Sequence, residues 1–166
     1  LEENLPGRGT PGNGLPEPPR TREEQRVAET VGGPMASIRL GSLFPVEDVD
    51  APALGLLVGV LSDRIQMDLR ETRGLSYSTG ATVAVHRGSG EFRAWVNPPQ
   101  ERLSEGENAL TAAVRTFDPA TVTADELDRV RSALKGRLMM RRLASISQAY
   151  YLSQFELDHD PEGYAA

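Results

Sequence analysis

The 166-residue sequence contains no cysteine. This absence excludes a disulfide framework and thiolate metal ligands, and it leaves the redox compartment undetermined. Histidine is also scarce, since His86 and His159 are the only two. They do not form a pair three or four residues apart on one helix face, which a zinc-peptidase motif requires. We therefore predict no metal site in this chain, and a structural or incidental role for both histidines.

Long apolar runs and an excess of basic charge are missing too. The longest apolar run, residues 53–61, is about half of the ~20 residues that a membrane-spanning helix needs. The acidic, Pro/Gly-rich beginning shows no signal peptide. The net charge is −6 and the isoelectric point is near 5.0. Since phosphate binding needs clustered Lys and Arg, we expect no nucleic-acid partner.

The composition divides the chain into a linker and one folded domain. Residues 1–25 are a predicted linker, because the first twenty positions hold five Pro and four Gly and almost nothing to bury. Residues 26–166 are the predicted domain. The chain does not begin with Met, and residues 160–164 form a predicted turn at its end. We therefore expect a piece of a longer protein, and the compartment stays open between cytoplasm and periplasm.

Hydrophobic periodicity predicts an α+β fold in the order β-α-β-β-α-α. We expect an antiparallel sheet with the helices packed on one face. The predicted strands are 35–44, 77–86 and 91–97, with a further short candidate at 26–31. The predicted helices are about 51–70, 101–116 and 123–147, with another helical stretch at 148–157.

Local signals mark where these helices begin and end. Asp50 is the predicted N-cap of the first helix, with Pro52 in its first turn. Gly74 ends that helix. Thr123 and Glu126 have the spacing of a capping box before the apolar stripe of the third helix. That stripe consists of Leu127, Val130, Leu134, Leu138 and Met139.

The stretch from Asp68 to Tyr77 carries the candidate site. Arg70 is placed on the last helical turn and Tyr77 on the first strand residues, so the two side chains can jointly grip a peptide carbonyl. A structural role stays open, because arginine in a last turn favours the helix dipole and tyrosine is a good strand former. Arg73 competes with Arg70 for any function, but its place before Gly74 favours helix capping.

The sequence gives little support to a serine nucleophile or to a phosphate-binding loop. Ser76 has no histidine near it in the chain and no nucleophile-elbow motif, so it is a poor candidate nucleophile. The glycine-rich segment 87–90 is better explained by a hairpin loop than by a phosphate-binding loop, which would open a helix.

The segment Leu69–Tyr77 resembles the leucine-arginine-glutamate … glycine-leucine-alanine-tyrosine segment of the insulinase/pitrilysin family of zinc peptidases. It is similar to the C-terminal, non-catalytic domain of that family's bacterial processing-protease-like members. Met35–Gly41 resembles the opening strand of the domain. Val60–Ile65 resembles its helix-start element and Val122–Leu127 its pair-helix signature. The resemblance covers residues 26–165.

The sequence departs from the family's pattern at one point. The glycine-rich turn that often precedes the serine-arginine-leucine element is missing, and Gly59-Val60-Leu61 stands in its place. We expect the approach between helices to be tighter or locally different there.

The resemblance implies a metallopeptidase-like two-layer sandwich and a role for two residues. Arg70 and Tyr77 would project towards zinc held by a partner domain or subunit, and would hydrogen-bond the scissile carbonyl of an extended peptide. This chain would bind no cofactor itself, and it would hold no catalytic residue of its own. We expect a dimeric assembly, and hydrolysis is not assigned to this chain alone.

The sequence is also compatible with two other functions. The first is a structural or assembly subunit that keeps the peptidase-like fold without proteolysis. The second is a free peptide-binding module.

Overall fold

A computed structural model of the chain describes residues 24–29, 32–46, 50–86, 89–141 and 145–157. The described residues from position 32 onward belong to one compact unit, which holds all the helices and strands described below. The elements are β1 (Ile38–Pro45), α1 (Ala51–Ile65), β2 (Thr79–His86), β3 (Ser89–Val96), α2 (Leu103–Arg115), α3 (Ala124–Arg141) and α4 (Ser145–Leu157). A π-helical segment, Gln66–Thr72, prolongs α1, and short 3₁₀ turns precede α2 and α3. The predicted α+β fold is confirmed.

The three strands form one antiparallel sheet in the order β1-β3-β2. Ala94, in the central strand, pairs with Leu40 on one side and Ala81 on the other. Side chains alternate between the two faces of a sheet, so every second residue of each strand faces the helices. The opposite face carries exposed Arg39 and Arg93.

Helices α1 and α2 cover one face of this sheet, giving the expected two layers. Helix α1 begins as predicted, since the Asp50 Oδ1 accepts a hydrogen bond from the Ala53 N–H at 3.0 Å. Its apolar stripe meets the inward residues of the strands. The buried core they share consists of Val58, Leu61, Ile65, Leu69, Leu75, Ala81, Ala94, Val96, Ala109 and Leu110.

Helix α3 packs on α1 and begins at the predicted capping box. The Glu126 carboxylate accepts from the Thr123 N–H at 2.9 Å, and the Thr123 Oγ1 accepts from the Glu126 N–H at 3.3 Å. Val130 packs so close to Gly59 that a Cβ at Gly59 would lie 2.5 Å from the Val130 Cγ1. The stripe predicted for this helix is wrong in its second half, because Leu138 and Met139 are exposed.

Three other expectations need correction or stay untested. Tyr77 is not on a strand, because β2 begins at Thr79 and Tyr77 lies in a bend before it. Residues 24–29 form no strand. The predicted linker, residues 1–25, lies almost wholly outside the described residues and stays a prediction.

No helix within the described residues is long and apolar enough to cross a membrane.

Candidate functional site

The end of the first long helix sets the position of Arg70. Over Gln66–Thr72 the helix widens to π geometry, in which the Thr72 hydroxyl donates to the Met67 carbonyl at 2.9 Å. π segments inside helices are rare and often occur at functional sites. The chain then leaves the helix at Gly74, whose φ of +55° is left-handed and favours glycine.

This helix end is closed by backbone hydrogen bonds and apolar burial together. The Leu75 N–H donates to the Leu69 carbonyl at 2.8 Å, and both side chains are buried in the core. This bond spans six positions, one more than the closing bond of a Schellman motif, because the helix widens to π geometry before it ends. Because Leu69 and Leu75 are both anchored, the residues beside them, Arg70 and Ser76, have little positional freedom.

Arg70 and Tyr77 are in contact. The central guanidinium carbon of Arg70 lies 4.4 Å from the centroid of the Tyr77 ring, a cation–π geometry. The Arg70 Nε also lies 3.1 Å from the Glu71 carboxylate. Tyr77 is 84% exposed. The phenol therefore contributes little to the core, and the guanidinium beneath it restricts the direction in which the ring points.

Ser76 holds the bend that presents Tyr77. Its hydroxyl donates to the Ser78 carbonyl at 2.7 Å and accepts from the Asn97 N–H at 3.1 Å, and the residue is buried. These bonds tie the bend to the end of β3. They also engage the hydroxyl on both sides, which suits a structural group better than a nucleophile.

Arg102 is a second positioning residue, and the sequence did not point to it. Its guanidinium donates to the Gly74 carbonyl at 3.2 Å and to the Arg73 carbonyl at 3.3 Å. It also forms a two-pronged ion pair with Glu105, both contacts at 2.9 Å. That hydrogen bond lowers the pKa of Glu105. The Arg102–Glu105 spacing was visible in the sequence, but its contact with a helix end 28 residues away was not.

Arg73 makes a different contact from Arg70. Its Nε lies 2.9 Å from the Asp68 Oδ1, which raises the pKa of the guanidinium, first through this hydrogen bond and then through the carboxylate charge. Arg73 is also the C-cap residue of the π-helical segment. The guanidinium in contact with Tyr77 is that of Arg70.

A groove of about 330 Å³ opens beside Tyr77. It is lined by residues 35–37, residues 76–78 and Asn97. We call it the Asn97 groove. The segment before β1 is held in place by backbone pairing, since the Ala36 N–H donates to the Pro98 carbonyl at 2.8 Å.

The part of the chain that the structure describes contains no set of metal ligands. There, no three His, Cys, Asp or Glu side chains come together in a way that could hold a metal ion. His159 lies outside the described residues.

Comparison with known proteins identifies a family whose members resemble this chain. The family described as the peptidase M16 inactive domain matches residues 2–134. No curated protein matches the sequence.

Three solved structures share the fold. The periplasmic protease PqqL from Escherichia coli superposes with a TM-score of 0.63 at 15% identity, over 80% of this chain and 16% of that one. A peptidase M16 inactive domain from Pseudomonas fluorescens gives 0.62 at 20% identity, over 80% and 33%. A mutant of the ferredoxin protease FusC, in complex with Arabidopsis ferredoxin, gives 0.53 at 17% identity, over 80% and 15%. The chain thus spans a third or less of the length of each.

Proposed function

The chain belongs to the peptidase M16 inactive-domain family, and we propose that it is the non-catalytic, substrate-gripping domain of a zinc-dependent endopeptidase. In this proposal the zinc is held by a partner domain or subunit, and an extended peptide is enclosed between the two halves as they assemble. The described residues of this chain offer no metal-ligand set. In this proposal the chain contributes to peptide hydrolysis through its own side chains.

The contact between Arg70 and Tyr77 is the observation that carries the proposal. A guanidinium stacked 4.4 Å from an exposed phenol ring costs conformational freedom in two side chains and adds little to the core. Such a pair offers N–H and O–H donors at one point on the surface.

These donors suit the chemistry of peptide-bond cleavage. When a peptide carbonyl is attacked, negative charge develops on its oxygen, and fixed hydrogen-bond donors stabilise that charge. The Tyr77 hydroxyl would donate one hydrogen bond and the Arg70 guanidinium another, with a positive charge beside them. The supports at Ser76 and Arg102 would keep both donors in place before the peptide arrives.

Replacing Tyr77 with Phe tests this role. The substitution removes the hydroxyl and keeps the ring over Arg70, so we expect kcat to fall about 100-fold with little change in unfolding temperature. The measurement is peptide hydrolysis by the enzyme assembled from this chain and its zinc-bearing partner. Tyr150→Phe is the matched control, because Tyr150 is also exposed but lies on α4.

The competing function is a structural or assembly subunit. It predicts that Tyr77→Phe and Tyr150→Phe leave the assembly and any associated hydrolysis equally unchanged. An unchanged kcat in the Tyr77→Phe enzyme would thus favour that subunit over the substrate-gripping domain.

A further inference from the structure

We propose that the Asn97 groove is a specificity site that binds an acidic side chain of the peptide. This inference rests on the proposed function, because it places the groove next to the carbonyl held by Arg70 and Tyr77. It adds a class of residue, Asp or Glu, that the bound segment carries.

The orientation of the Asn97 side chain is the first observation. Its Oδ1 accepts hydrogen bonds from the Ser37 hydroxyl at 3.2 Å and from the Arg39 Nη1 at 3.0 Å. Since an amide presents oxygen on one side and NH₂ on the other, these two donors fix which side is which. The NH₂ group has no hydrogen-bond partner among the described residues and is not buried. It is a pair of donors on a residue that lines the groove, open to a ligand.

The local charge is the second observation. Arg39 is exposed, and within the described part of the chain it has no carboxylate within ion-pair distance. None of the residues that line the groove is acidic. An acceptor placed at the Asn97 NH₂ would bind the amide whose oxygen Arg39 contacts, and a carboxylate is the acceptor that gains most from this local positive charge. A lysine or arginine side chain would meet the like charge of Arg39 and no carboxylate among the lining residues.

The place of the groove is the third observation. Tyr77 lines the groove and is a largely exposed residue. A peptide whose carbonyl reaches the Tyr77 hydroxyl thus passes over the groove within the next residues. A volume of about 330 Å³ lies at the small end of ligand pockets, about 300–1,000 Å³, and suits one or two peptide residues.

The net charge of the chain opposes the binding of acidic peptides, so a measured preference for them is informative. With a net charge of −6, the chain repels a negative peptide at long range, so a preference for acidic over basic peptide must come from a local site. The probes are two fluorescein-labelled peptides, one of repeated Gly-Ser-Glu and one of repeated Gly-Ser-Lys. Their affinity for the whole chain is measured by fluorescence anisotropy at low salt.

Asn97→Asp is the decisive variant. It keeps the oxygen that accepts from Ser37 and Arg39, and it replaces the NH₂ donors with a charged acceptor of the same shape. We expect the Gly-Ser-Glu peptide to bind the wild type more tightly than the Gly-Ser-Lys peptide. In Asn97→Asp its affinity should fall at least about tenfold, the usual effect of losing a hydrogen bond to a charged group.

Asn108→Asp is the control, because it makes the same chemical and charge change at an exposed position on α2. Equal losses in the two variants, a preference for the Lys peptide, or no measurable binding of the Glu peptide by the wild type would overturn the inference. If Asn97→Asp does not fold, Arg39→Gln carries the same test, since this exposed residue supplies the cation.

The outcome is separable from that of the proposed function. Binding of the two peptides needs no zinc and no hydrolysis, whereas the Tyr77→Phe experiment reads kcat in the assembled enzyme. The groove could prefer the Glu peptide as expected while Tyr77→Phe leaves kcat unchanged. That combination would reject the role of Tyr77 at the scissile carbonyl and would support the acidic-residue site.

Discussion

At the scale of single residues, the site depends on which of two arginines faces the phenol. Arg70 and Arg73 are three positions apart and chemically identical, and the sequence favoured Arg70 only through helix geometry and a family resemblance. In the structure Arg70 stacks on Tyr77, while Arg73 pairs with Asp68. The two arginines therefore make different contacts because their surroundings differ.

Lysine substitutions turn this difference into a prediction. Arg70→Lys removes the planar guanidinium that stacks on the Tyr77 ring, so we expect kcat of the assembled enzyme to fall about tenfold. Arg73→Lys keeps a cation beside Asp68, and we expect kcat within about twofold of wild type. Steady-state hydrolysis of one peptide by both variants provides the measurement. Equal effects of the two substitutions would contradict the assignment of Arg70.

At the scale of elements, the sequence predicted most where the signal is local. The N-cap at Asp50, the capping box from Thr123 to Glu126 and the glycine stop at Gly74 are all confirmed, because each depends on residues within one turn. The start of β2 was predicted two residues early. The competing structure there is the bend held by Ser76, whose partner Asn97 directly follows the end of β3.

Two glycines give opposite predictions for the same substitution. Gly74 has φ +55°, so Gly74→Ala forces an alanine into the left-handed region, and we expect a loss of about 1 kcal/mol in the free energy of unfolding. Gly136 lies inside α3 with open space around its Cα, so Gly136→Ala should add about 0.5–1 kcal/mol. Urea unfolding of the two variants measures both effects. A gain in stability for Gly74→Ala would show that the helix stop does not require the left-handed turn.

At the scale of the whole molecule, the interactions that complete the site join distant parts of the chain. Ser37 reaches Asn97 across 60 positions, and Arg64 reaches Glu126 across 62. Periodicity and capping rules contain no information about such pairs, which is why Arg102 and the Asn97 groove could not be predicted from the sequence. At Gly59, where the sequence departs from the family's pattern, α1 and α3 pack closely, because a Cβ there would clash with Val130.

The ion pair between Arg64 and Glu126 couples α1 to the start of α3, and its effect on stability depends on pH. The Arg64 Nε and Nη2 lie 2.8 Å and 3.0 Å from the two carboxylate oxygens. Hydrogen bonds from Arg64, and then from the Thr123 N–H, lower the pKa of Glu126 to about 2 from its ordinary 4.5. Because the folded-state pKa is the lower one, ionised Glu126 stabilises the fold fully above pH 4.5, and this contribution is lost as the pH falls towards about 2.

Glu126→Gln tests this coupling. The substitution removes the charge at every pH, so we expect its unfolding temperature to lie below that of the wild type at pH 7. The difference should shrink steadily once the pH falls below 4.5, because the wild-type carboxyl group then takes up a proton. Asp125→Asn, next to it in the first turn of α3, removes a carboxylate that makes no ion pair within the described residues. Equal unfolding temperatures of wild type and Glu126→Gln between pH 7 and about pH 2 would mean that Glu126 acts through helix capping alone, since the amide oxygen of Gln also caps.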